Sequence, residues 1–167
     1  MRWFAALVLL GSLQCNLMGQ APSQAPTKNA TCTFQDGKEI SLRYTSVPAD
    51  KVELQDGKPY MPGGSPLLLF SQTSMLAGTS EIPAGAFSVY VIPASKDKWN
   101  LAINKNISSA TKYDATQDLV RLPLELGKVP TKTESLKIIF VHIAPKQCNI
   151  RIYEGRELAS GGGFEEK

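Results

Sequence analysis

The stretch EIPAGAFSVYVIPASKDKWNLAINK, residues 81–105, decides the fold class. Pro83-Ala84-Gly85 is turn chemistry, and Ser95-Lys96-Asp97-Lys98 is a polar reversal. Around them the side chains alternate. Phe87, Val89 and Val91 fall on one side of a strand, with Ser88, Tyr90 and Ile92 on the other. After the reversal, Trp99, Leu101 and Ile103 oppose Lys98, Asn100, Ala102 and Asn104. A period of two sends successive residues to opposite faces of a sheet. The segment predicts a hairpin in which Phe87, Val89, Val91, Trp99, Leu101 and Ile103 pack as cross-strand neighbours on an inner face. It reads as frame rather than as reactive centre.

The same period recurs outward in both directions. In KEISLRYT, residues 38–45, Ile40, Leu42 and Tyr44 share a face. In VRLPLEL, residues 120–126, Val120, Leu122, Leu124 and Leu126 do so, and Pro123 predicts an edge strand or a bulge because it lacks an N–H. In CNIRIY, residues 148–153, Cys148, Ile150 and Ile152 oppose Asn149, Arg151 and Tyr153. SLKIIFVHIA (135–144) and SPLLLFSQT (65–73) are apolar on both faces and predict central strands. No window of twelve residues carries a helical period, and ISSATKYDATQD, 107–118, reads as a polar loop with at most one helical turn. Short strands at this spacing predict an all-β, single-domain antiparallel β-sandwich or jelly-roll-like fold over residues 31–157. The end, with SGGGFEEK at 160–167, reads as a flexible tail that starts at 158.

Residues 1–19 read as a secretory signal peptide: Arg2 precedes an apolar run, Trp3 to Leu10, that is too short to span a bilayer. Cleavage is expected before Gln20, and QAPSQAPTKNA, 20–30, reads as a disordered leader. A lipid anchor at Cys15 is disfavoured by Gln14 where a small residue is required. With Cys15 removed, Cys32 and Cys148 remain, and export favours a disulfide between them. The expected location is periplasmic or secreted. The net charge of +3 is small and its basic residues are scattered, which argues against a nucleic-acid partner; no transmembrane segment is expected.

Reactive chemistry finds little footing. The chain has one histidine, His142, so no three-histidine metal centre exists, and neither a metal nor any other cofactor is expected. Asp114 and Asp118 share the polar loop and read as groups that cap and solvate it rather than as a calcium site. A catalytic set would use His142 as general base with Asp118 or Asp114 orienting it, but no nucleophile elbow accompanies them. Glu81, Asp97 and Glu125 lie on separate segments, and nothing singles out a glycosidase pair. Asn100, Asn104, Lys105, Tyr113 and Arg121 lie on the wet side of the hairpin and its neighbours, and are hydrogen-bonding types suited to a saccharide or a peptide.

IPAGAFSVYVIPASKDKWNLAINK, followed by YDATQDLVRLPLE, resembles the DUF2911 family of exported bacterial proteins. The pattern is carried by Pro83, Ala84, Gly85, Phe87, Ser88, Pro93, Trp99, Asn104, Lys105 and Asp118, within a resemblance spanning roughly residues 30–155. Many relatives place a tryptophan-arginine and glycine-alanine-asparagine cluster before this hairpin; here that region is GGSPLLLFSQTSMLAGTS, 63–80, without Trp or Arg. The resemblance implies fold and export, and its family has no assigned activity. Three readings follow: a non-catalytic binding or structural module of the cell envelope, a hydrolase using His142, or a subunit that self-associates through an edge strand at 118–126.

Overall fold

The computed structural model describes residues 25–49, 54–95, 98–108 and 112–167. Its strands are β1 (Thr27–Thr33), β2 (Glu39–Thr45), β3 (Leu67–Ser71), β4 (Met75–Ala77), β5 (Ser80–Ile82), β6 (Gly85–Ser95), β7 (Lys98–Asn104), β8 (Asp118–Lys128), β9 (Lys137–Ala144), β10 (Gln147–Glu154) and β11 (Glu157–Glu166). They form a single antiparallel sheet in the order β1-β2-β3-β6-β7-β8-β11-β10-β9, with the short β4–β5 hairpin attached to β11. The protein is all-β, as the alternation predicts, and the two layers expected of a sandwich are the two halves of one curled, nearly barrel-shaped sheet.

The hairpin of β6 and β7 pairs Val89 with Ile103, Val91 with Leu101 and Pro93 with Trp99. Phe87, Val89, Val91, Leu101 and Ile103 are buried in one continuous core with Ile40, Leu42, Leu122, Leu124, Ile150 and Phe164, and Trp99 packs against it. Each large apolar side chain so enclosed contributes roughly 1.5–3 kcal/mol relative to exposure. The curl brings the ends of the sheet together. Leu136 N donates to Val47 O at 2.8 Å, Ala49 N to Glu134 O at 3.1 Å and Gln35 N to Pro145 O at 3.1 Å. The Tyr44 hydroxyl accepts from Ile138 N at 3.0 Å, and Ser46 Oγ donates to Leu136 O at 2.9 Å. Cys32 of β1 and Cys148 of β10 form the expected disulfide across this seam, with Cα atoms 6.6 Å apart.

Several expectations are corrected. SLKIIFVHIA forms β9, which ends the sheet and pairs only with β10. Its doubly apolar character suits the seam, where β1 and β2 close over Leu136 and Ile138, while Ile143 stays 50% exposed. The 118–126 segment is no edge: β8 lies between β7 and β11. Pro123 sits where the ladder to β11 stops, since that pairing runs from Glu157↔Lys128 only to Gly161↔Leu124, so its missing N–H costs no bond there.

The expected tail, 158–167, is instead nearly all of β11, a strand inside the sheet. Its glycines build a bulge: Cys148 pairs with Phe164 but Ile150 with Gly161, leaving two residues opposite Asn149. Gly161 (φ 148°) and Gly162 (φ 56°) adopt conformations that disfavour side chains. The bulge lets β11 leave β8 and join β4 at Phe164↔Ala77. The leader expected over 20–30 also ends early. Thr27–Ala30 belong to β1 and pair with β2, held by backbone bonds with only Ala30 and Cys32 of the strand buried. The signal segment, Cys15 and the cleavage position lie outside the described residues.

Candidate functional site

The outer face of the central hairpin carries the densest polar arrangement. Opposite the core, Tyr90, Ile92 and Ala102 make a small second apolar cluster, against which Met61 and Tyr113 pack. The Tyr90 and Tyr113 rings lie 4.7 Å apart between centroids, tilted by 59°. The 105–117 segment holds Tyr113 there. Lys105 N donates to Gln117 O, and a short 3-10 turn, Ala115–Gln117, is capped by Asp114, whose carboxylate accepts from Thr116 N at 2.9 Å and Thr116 Oγ1 at 2.7 Å. Those bonds draw the Asp114 carboxyl below its ordinary range.

Asp118 is the hub. Its Oδ1 accepts from Asn104 Nδ2 at 2.8 Å; its Oδ2 accepts from the Tyr113 hydroxyl at 2.6 Å and from Arg121 Nε at 2.7 Å. Arg121 Nη2 donates in turn to the Tyr113 oxygen at 2.7 Å. Burial, and then the bond to Asp118, push the Tyr113 phenol up to about 12. The Asp118 bond also strengthens the hold of Arg121 on its proton. The Asp118 side chain is 8% exposed and that of Arg121 is 47% exposed. A guanidinium has five N–H donors. Two are engaged here, on a half-exposed side chain whose orientation they fix.

The five expected ligand contacts separate on this frame. Tyr113 and Arg121 are brought together, Asn100 is half-buried on the same face, and Lys105 is exposed just past the end of β7. Asn104 is a correction: it is only 1% exposed. Its amide donates to Asp114 O and Asp118 Oδ1 and accepts from Asn106 N, so it holds the loop instead of meeting solvent. Ser88, fully buried, lies next to it across the ladder, since Ser88 pairs with Asn104 and Asn104 with Asp118. Residues 30 apart in sequence thus stand in one row.

His142 lies elsewhere. It is an exposed residue of β9, paired with Cys148 and beside the disulfide, while Asp118 and Asp114 are engaged with other partners on the hairpin's outer face. The orienting carboxylate of the expected catalytic set is therefore not brought to it. Asp97 lies outside the described residues.

Two groups escaped the sequence reading. Glu154 continues the inward parity of Cys148, Ile150 and Ile152 on β10, a signal already present in the alternation. It is 8% exposed, its Oε1 has no hydrogen-bond partner, and burial pushes its carboxyl up to about 7. The Tyr60 hydroxyl is likewise buried without a partner; burial and then the Glu154 charge raise its pKa. Tyr60 also lines a cleft of about 540 Å³ with Val47, Leu54, Met61 and Pro62.

No curated protein and no solved structure matches the chain. The sequence pattern of a family described as "Protein of unknown function (DUF2911)" matches residues 67–156, from the start of β3 to just past β10. That span includes Ser88, Asn104, Tyr113, Asp118 and Arg121, and by it the chain belongs to the DUF2911 family.

Proposed function

We propose that the protein is an exported, non-catalytic binding module of the cell envelope, and that its ligand docks on the outer face of β6–β8 against Arg121, Tyr113 and Lys105. The observation that carries this reading is the pre-oriented Arg121: two of its donors are locked to Asp118 and Tyr113 while about half of the side chain stays exposed. A fixed planar fork of donors suits carboxylate and carbonyl groups, so an acidic saccharide or a peptide is the ligand class. Asn100 adds a donor on the same face, and Lys105 an exposed ammonium past the end of β7. A general base here lacks support, because Asp118 already accepts three bonds and Tyr113 holds its proton tightly. Export is supported by the disulfide, which persists in oxidising compartments. Among the described residues no helix is long and apolar enough to cross a membrane.

Titration of isotope-labelled protein with panels of uronic-acid oligosaccharides and short peptides tests the reading. Amide shifts are expected at residues 100, 105, 113 and 121, and Arg121→Ala should abolish them while leaving the remaining spectrum intact. Shifts confined to other faces would overturn the assigned site. A hydrolytic activity lost in His142→Ala with unchanged melting would overturn the non-catalytic reading.

A further inference from the structure

We propose that Cys32, Cys148 and His142 form a redox-gated site for a thiophilic d10 cation of the Zn2+ class: the dithiol form holds the ion, and disulfide formation expels it. The three residues come from β1, β10 and β9. His142 and Cys148 are directly paired, so their side chains leave the sheet on the same side. Cys32 arrives from the opposite end of the sheet, across the seam. Both sulfur atoms and a ring nitrogen lie within 4.8 Å of one another.

Zinc takes thiolate sulfur at about 2.3 Å and imidazole nitrogen at about 2.0–2.1 Å in a tetrahedron. Such ligands stand about 3.5–4 Å apart, so the imidazole is nearly placed. The two cysteine Cα atoms are 6.6 Å apart, at the wide end of what a disulfide bridges. Side-chain rotation alone then separates the sulfurs, with β1 and β10 left in position. The imidazole is exposed and makes no hydrogen bond to another of the described residues, which leaves a ring nitrogen open to a metal. An open hollow of about 500 Å³, lined by Thr33, Gln35, His142 and Pro145 among others, gives the ion a way in from solvent. It also leaves the fourth coordination position to water. Two thiolates and one imidazole are the donor set that favours zinc over hard cations.

The chemistry balances with an external dithiol or phosphine as reductant. Two electrons and two protons open the S–S bond to two thiols. Binding of Zn2+ then releases both thiol protons. In reverse, an external disulfide takes the two electrons as the Cys32–Cys148 bond forms, and the ion leaves to water. This site is separate from the hairpin face, so its failure would leave the binding reading untouched.

The test is competition of the reduced, full protein against a chromophoric zinc chelator, with the oxidised protein alongside. One-to-one binding is expected only after reduction. His142→Ala should weaken it by at least the roughly 10–100-fold that loss of even an outer-shell partner costs. Co2+ in place of Zn2+ should give thiolate charge-transfer bands in the reduced wild type. Binding by the reduced wild type no tighter than by the Cys32→Ser/Cys148→Ser variant overturns the proposal, as does wild-type affinity in His142→Ala. Where reduction unfolds the domain, Zn2+ must restore its circular-dichroism spectrum in the wild type and not in His142→Ala. Failure to do so overturns it equally.

Discussion

Glu154 shows how a single residue reports on the barrel interior. A carboxyl raised from an ordinary 4.5 to about 7 by burial binds its proton more tightly folded than unfolded. The folded state therefore carries more protons between those values, and stability falls as pH rises through that window. Below about 4.5 there is no penalty; above about 7 it is complete. At about 1.36 kcal/mol per unit, the penalty is at most about 3–4 kcal/mol, less whatever water at the barrel end screens. Glu154→Gln keeps the shape and removes the charge. Thermal melts at pH 5 and pH 8 should show the variant gaining several degrees over wild type at the higher pH only. Equal shifts at both pH values would refute the buried-charge account. The Asp118 side chain is also largely buried, but there donors from Asn104, Tyr113 and Arg121 replace the water it loses.

At the scale of elements, the β11 bulge separates a required glycine from a tolerated one. A Cβ on Gly161 would stand 2.9 Å from Pro123 O, on a backbone at φ 148°. A Cβ on Gly163 would meet only the ends of the Gln147 and Asn149 side chains, at 3.2 and 3.3 Å. Gly161→Ala should cost about 1–3 kcal/mol and Gly163→Ala clearly less, measured by urea unfolding. Equal costs would mean that the bulge imposes no special backbone. The same glycines explain why β11 was not legible as a strand: by local criteria a glycine run is a linker, and only its partners reveal a bulge. Strands whose burial follows side-chain parity, such as β2 and β10, were legible from alternation. β9 misled because a curled sheet buries its end strand at a seam, and no local pattern distinguishes that from a central position. The members of the hairpin site were legible as polar residues, but the inward turn of Asn104 was not, because it depends on where the 105–117 loop returns. The grouping of Cys32, His142 and Cys148 rests on closure across the whole sheet and left no mark in the spacing of residues.

For the whole molecule, the disulfide fastens the first strand to the far end of the sheet across a sequence separation of 116. In the chain-entropy description a loop of that length is worth about 4–5 kcal/mol, and native bonds deliver about 2–5. Cys32→Ser/Cys148→Ser should therefore lower the urea midpoint and raise the m-value, because the denatured chain without the crosslink is less compact and exposes more surface. A variant as stable as the wild type would show that the seam is closed by its backbone bonds and Tyr44 alone. The position of β11 carries a kinetic corollary. The strand made of residues 157–166 is the junction between the β1–β8 part of the sheet and β9–β10. Without that strand the two parts meet only at the seam, through bonds such as Leu136 N to Val47 O and Ile138 N to the Tyr44 hydroxyl and through the Cys32–Cys148 disulfide. Docking of residues 157–166 is therefore the event that turns two partial sheets into one continuous wall, so late ordering of this one strand would delay closure of the whole.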